Sequence, residues 1–225
     1  MKGKWIAAAA AAAVVVMASS VLPVQAADRW DMAYIGRMKP PAHVTFQEGE
    51  QTALPFLSTG GIRWTFVRGG MMDGRFYTMT YADGTDFSYG WAASAVVGVP
   101  YLVKHGETAY RNKTPAEQMD VIAGLLNREI REKGASYDGQ EPLKRLNDKG
   151  HPRWEGSFVT TRQENGITYR EKYQMVLQVS GFRVVLGVIC SDADRTQLGN
   201  GLSQMMQKRS FYKEKELLEA FLHGK

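Results

Sequence analysis

The chain has 225 residues, 28 lysines and arginines against 23 aspartates and glutamates, and one cysteine. A net charge of +5 with no concentrated basic stripe argues against nucleic-acid binding, since such surfaces gather their cations on one face. A lone cysteine excludes an internal disulfide and the common cysteine-based zinc frameworks.

The chain opens as a secretory signal peptide. Lys2 and Lys4 give a positive start, an apolar run follows from Ile6 to Met17, Pro23 interrupts it, and Val24-Gln25-Ala26 presents small residues at a cleavage site. The apolar run is shorter than the ~20 residues of a spanning helix, and no cysteine follows for a lipid anchor. The expectation is cleavage near Ala26, no transmembrane helix in the mature chain, and an extracytoplasmic location, either periplasm or medium. Residues 27–225 suit one domain.

Residues 27–60 read as an irregular lead-in, because Pro40-Pro41 and Pro55 interrupt long elements; Tyr34 to Met38 is a short strand candidate. Ile62 to Val67 is rich in aromatic and branched residues and predicts a strand. Arg75 to Tyr81 predicts a second, with Tyr77, Met79 and Tyr81 on one side and Phe76, Thr78 and Thr80 on the other. Asp83-Gly84 signals a hairpin into a long strand, where Phe87, Tyr89, Trp91, Ala93, Ala95 and Val97 alternate with smaller residues. Gly90 or Gly98 marks a bend or bulge in it.

Thr114-Pro115-Ala116-Glu117 is a capping box with proline at the first helical position. Met119, Ile122, Leu126 and Ile130 recur at helical spacing up to Gly134, which predicts a helix over 115–133. Residues 135–153 are polar and turn-rich. Gly156 to Gln163 predicts a strand, Asn165-Gly166 a type I′ turn, and Ile167 to Val179 a long strand with Tyr169, Tyr173, Met175 and Leu177 on one face. Phe182 to Cys190 is apolar on both faces, as a strand covered on both sides must be. Ser191-Asp192-Ala193-Asp194 reads as the start of a helix whose apolar face is Leu198, Leu202, Met205 and Met206. Gly199 and Gly201 inside it imply a close approach to the sheet. A last helix is expected from about Lys213 to Leu222. The basic pair Lys208-Arg209 reads as solvated surface. Together these elements define an α+β domain, a predominantly antiparallel sheet flanked by helices.

Little in the chain points to catalysis. His43, His105, His151 and His223 lack metal-ligand spacing, and no nucleophile elbow, P-loop or dinucleotide fingerprint occurs. Cys190 reads as a small buried hydrophobe rather than a reactive thiol. Asp83 with Asp86, and Asp192 with Asp194, have the composition of weak calcium ligands, but turn and capping roles account for them. No cofactor or metal is expected. The remaining candidates are aromatic: Trp64, Tyr77, Tyr81, Tyr89 and Trp91, concentrated in one three-strand region. Core packing explains such a group by default; any that face outward would suit a sugar, a peptide or a partner protein.

The second half carries a capped helix, a three-strand meander ending in Phe182 to Cys190, and a helix from Asp192 that closes on Lys208-Arg209-Ser210-Phe211. Over roughly 115–212 this order resembles PsbP-like and related Mog-type domains, in which a final strand and helix close with a serine-phenylalanine pair. The resemblance implies an α/β/α sandwich, with an antiparallel sheet between helical layers, and a non-enzymatic docking role; it assigns no functional residue. The expected function is an exported, non-catalytic binding or adaptor protein of the bacterial cell envelope, with another envelope protein or a small ligand as partner. The alternatives are an extracytoplasmic hydrolase using His105 or His151 with a distant carboxylate, and a structural subunit of an envelope assembly.

Overall fold

A computed structural model describes residues 29–49, 53–59, 62–65, 72–98, 113–148, 151–180 and 183–210. Its strands are β1 (Trp30–Met32), β2 (Gly36–Met38), β3 (Val44–Gly49), β4 (Ala53–Thr59), β5 (Ile62–Thr65), β6 (Met72–Asp83), β7 (Asp86–Gly98), β8 (Ser136–Tyr137), β9 (Lys144–Asp148), β10 (His151–Glu164), β11 (Ile167–Ser180) and β12 (Arg183–Asp192). Its helices are α1 (Pro115–Glu132) and α2 (Thr196–Gln207). The main sheet runs β3-β6-β7-β12-β11-β10-β8, with β9 also paired to β10, and every pairing in it is antiparallel. The domain is α+β, with most of its ordered structure in sheet.

Strand period decides which side chains meet which layer. From α1, Met119, Ile122, Leu126 and Ile130 pack onto Phe76, Ala93, Ala95, Met175, Leu177, Leu186 and Val188 on one face of the sheet. On the other face, Leu198, Leu202, Met205 and Met206 of α2 join Met32, Tyr34, Ile35 and Met38 around Tyr77, Met79, Ala92, Val96, Val185 and Ile189. Residues 184–191 of β12 are all buried, as their two-sided apolar pattern requires. Among the described residues, no helix is long and apolar enough to cross a membrane.

The capping box forms as its sequence demands. Glu117 N–H donates to Thr114 Oγ1 at 3.3 Å, and Thr114 N–H donates to Glu117 Oε2 at 2.7 Å. That contact holds the Glu117 carboxyl below its ordinary range. The helix stops before Gly134, whose φ of +69° is left-handed. The Asn165-Gly166 turn likewise has φ of +52° and +77°, the type I′ combination. In α2, Gly199 C=O accepts from Gln174 Nε2 of β11 at 2.6 Å, and a Cβ at Gly199 would lie 3.0 Å from Lys172 Cδ. This is the close approach its glycines imply. At Gly90 a Cβ would lie 2.3 Å from Cys190 O, so the glycine admits the neighbouring strand just where the β7–β12 pairing ends at Trp91.

Four differences from the sequence expectation have physical causes. The lead-in contains β1 to β4, and Met32, Tyr34, Ile35 and Met38 are core residues; β1 and β2, which carry Met32 and Met38, have three residues each, too few to show a period. The three-strand aromatic region does not form as one sheet, since β5 pairs with β4 while β6 takes β3 as its outer neighbour. The second helix begins at Thr196, because Ser191 and Asp192 stay in the ladder opposite Lys172 and Glu171. Arg209 is buried rather than solvated: its Nη2 donates to Glu155 Oε1 at 2.5 Å and its Nη1 to Met206 C=O. Next to it, Ser210 forms a two-way backbone bridge with Arg37, tying the chain after α2 to β2. The helix expected from Lys213 lies outside the described residues.

Candidate functional site

The sheet is uneven at one end. Its central strand β12 leaves the ladder at Asp192, paired there with Glu171, and its last partner on β7 is Trp91. The flanking strands run further, to the β6–β7 turn at 84–85 and the β10–β11 turn at 165–166. Two hairpin ends therefore project past β12, and the chain turns away between them. Ala193 N–H donates to Arg170 C=O at 2.9 Å on one side. Arg195 Nη2 donates to Phe87 C=O at 2.8 Å on the other. A cleft of about 540 Å³ lies at this fork.

On the α1 face, the cleft begins at a row of residues in register across four strands: Trp91, Cys190, Tyr173 and Phe158. Tyr173 stacks on Phe158 at 5.1 Å and meets Trp91 edge-on at 5.9 Å. Cys190 lies buried between them, and burial, aided by the Glu171 carboxylate, pushes its thiol up to about 12. Burial likewise holds the Tyr173 phenol well above its ordinary value. A thiol so protected is a packing residue. Beyond this row the cover from α1 ends. Tyr89 is 70% exposed, Phe87 and Ile167 55%, and Tyr169 39%. All four share the α1 face of the sheet.

The charged groups here are paired, and one juxtaposition costs energy. Glu171 and Asp192 stand directly opposite on adjacent strands, where like charges repel. Glu171 Oε2 accepts from Tyr173 OH at 2.8 Å, and its Oε1 faces Arg162 Nε at 3.3 Å. Arg162 also lies over the Tyr169 ring at 4.6 Å. Asp192 Oδ1 accepts from Asp194 N–H at 2.9 Å, while Oδ2 lies 3.6 Å from Arg195 Nε. On the outer side of the fork Asp194 pairs with Arg170, and Arg195 donates to Asp86 Oδ2 at 2.5 Å. That bond holds the Asp86 carboxyl below its ordinary range. Of the aspartates considered as calcium ligands, Asp86, Asp192 and Asp194 are thus engaged with arginines or with turn backbone, and Asp83 lies 3.9 Å from His43 Nε2.

The sheet divides the five aromatic candidates. Tyr89 and Trp91 face the cleft. Tyr77 lies in the core of the α2 face, where its hydroxyl accepts from Ala33 N–H at 3.1 Å and burial raises it to about 12. Tyr81 is half-buried on that same face, against His43 at 6.4 Å and Arg195 at 5.7 Å. The side chain of Trp64 lies outside the described residues, as do His105, His223 and the His151 side chain. Tyr169, Ile167 and Glu171 joined the site without having been singled out as candidates, and Asp192 had been considered only as a weak calcium ligand or a cap. Their signal was the Asn165-Gly166 turn, which places Ile167 and Tyr169 at a hairpin end, on the Tyr173 side.

Among the described residues no three His, Cys, Asp or Glu side chains are grouped to hold a metal ion. No protein-family model matches the chain, and no curated protein is significantly similar to it.

Proposed function

We propose that this chain is an exported binding or adaptor protein of a bacterial cell envelope, which docks a partner at the forked end of its sheet. One observation carries the reading: Phe87, Tyr89, Ile167 and Tyr169 are large, apolar, exposed and gathered on one face beside a cleft. Contiguous exposed apolar surface of this kind marks an interaction site more often than it marks spare surface. Aromatic residues give such a site large contact area at little cost in side-chain entropy. The leader of residues 1–26 supports export. The order α1, the β10–β11–β12 meander, α2 and Ser210, with the helices on opposite faces, supports a PsbP-like arrangement and the docking role it implies.

The test is native mass spectrometry of the chain isolated gently from its own envelope, beside a Phe87→Ser/Tyr89→Ser variant. The expected result is a processed chain starting near Ala27 with a stoichiometric companion that the variant loses. A bare wild-type monomer overturns the docking role. A retained leader overturns export.

A further inference from the structure

Far from the fork, α1 is clasped to the segment 139–145 that leads into β9. Arg145 Nη1 donates to the two carboxylate oxygens of Asp120 at 3.1 and 3.2 Å. Asn127 Nδ2 donates to Leu143 C=O at 3.1 Å, and its Oδ1 accepts from Leu143 N–H at 2.8 Å. Arg131 pairs with Glu141. Positions 120, 124, 127 and 131 follow one another at helical spacing and so share one stripe of α1. Gly124 is the one member of that stripe with no side chain to reach across. A Cβ added there would have nothing within 4 Å. Glycine weakens a helix interior relative to alanine, and at Gly199 that cost admits a close approach to the sheet. At Gly124 no neighbour approaches, so what the glycine provides is space.

That space belongs to a cavity of about 580 Å³ between α1 and the segment. The links at Asp120 and Asn127 bracket it ~10.5 Å apart along the helix axis, room for a flat ring. Its apolar lining is Ala123, Leu143 and Trp154. The Arg145 guanidinium lies over the Trp154 ring at 5.2 Å and is held there by Asp120. Arg145 is half exposed, which leaves its outer face for a second ring. Charge selects the sign of the ligand. Asp120 and Glu141 each hold an arginine, and Glu155, opposite Lys144 on β10, holds Arg209. Lys144 also lines the cavity, with its ammonium resting on Gly139, where a Cβ would lie 2.8 Å from Nζ. Among the described residues no carboxylate pairs with that ammonium. We propose that this cavity binds a small aromatic carboxylate, its ring in the notch at Gly124 beside Arg145 and its carboxylate on Lys144. The cavity shares no lining residue with the cleft at the fork, so it stands apart from the docking reading.

The probe is 2-naphthoate, with 2-naphthamide as its neutral counterpart, each titrated into the mature chain and followed by amide and indole NMR shifts. The expected outcome is saturable naphthoate shifts centred on Gly124, Leu143 and Trp154. Naphthamide binds about tenfold more weakly, the size of one charge-assisted contact. Lys144→Gln removes that preference and leaves naphthamide binding as it was. Gly124→Leu fills the notch, so binding is lost while the melting temperature holds or rises, because leucine is the better helix former. Gly124→Ala weakens binding in the same sense and carries the test if the leucine variant does not fold. No saturable shift, shifts centred elsewhere, equal affinity for acid and amide, or unchanged binding in the filled variants overturns the site.

Discussion

Two parts of one sheet face behave differently. Beneath α1, the strands present Ala95, Leu177, Leu186 and Phe158, all sealed by Met119, Ile122, Leu126 and Ile130. Past the row of Trp91, Cys190 and Tyr173, the same strands present Phe87, Tyr89, Ile167 and Tyr169 to solvent. Strand period and residue character barely change across the boundary. What changes is the cover. Apolar alternation thus reports that a face can be buried, while the layer packed on it decides whether it is. The difference also separates two kinds of selection pressure: the covered part contributes stability, and the open part offers contact.

The largest effect expected from breaking this contrast is at Leu126, fully buried at the centre of the α1 contact. Leu126→Ala removes three buried carbons and leaves a cavity, so chemical denaturation is expected to show a loss of about 3 kcal/mol. Capture of the envelope companion should survive under native conditions, because the fork does not rest on α1. A loss of that capture in a chain that remains folded would show that the two parts are coupled rather than separate.

Cys190 tests the boundary itself. An unfolded chain ionises its thiol near the ordinary value of 9.0, while the folded site keeps it protonated up to about 12. Its contribution to stability is therefore intact below pH 9 and lost as pH rises through 12. Thiol alkylation at pH 8 should proceed only through opening of the row, and so track native-state stability as denaturant is added. Rapid alkylation independent of denaturant would place Cys190 on the open side of the boundary, and the contrast would need redrawing.

These two parts were not equally legible in the sequence. The covered part was, because each of its signals is local and strong: a capping box at Thr114 and Glu117, a four-residue apolar spacing through Ile130, and two-sided burial in Val184 to Ile189. The hairpin turns at Asp83-Gly84 and Asn165-Gly166 were equally plain, since left-handed backbone restricts residue choice. The fork was not legible. It depends on where β12 leaves the ladder, and Ser191-Asp192-Ala193-Asp194 carries the same composition whether it caps a helix or turns out of a strand. Here Asp192 bonds the Asp194 amide, a turn, while Arg195 precedes the helix without a side-chain cap. Nor could one strand's alternation reveal that Tyr77 and Tyr81 lie across the sheet from Tyr89 and Trp91. Face depends on register between strands, and Tyr77 opposite Ala92 is a pairing no local pattern encodes.

The smallest effect expected on stability is also the sharpest for function. Phe87 and Tyr89 project from a hairpin end, and their neighbours across β6 are Ala82 and Thr80, which give them little to pack on. Replacing both by serine should change the free energy of unfolding by no more than about 0.5 kcal/mol per site, the range of exposed positions away from caps and cores. Polar substitution at a surface aromatic has no cavity to create and no buried group to orphan. If denaturation instead shows a loss comparable to that at Leu126, these rings stabilise the fold and their exposure needs no partner to explain it. If stability holds while envelope capture fails, the open end of the sheet is maintained for contact alone. Four large apolar side chains in water would then mark a surface that another protein covers.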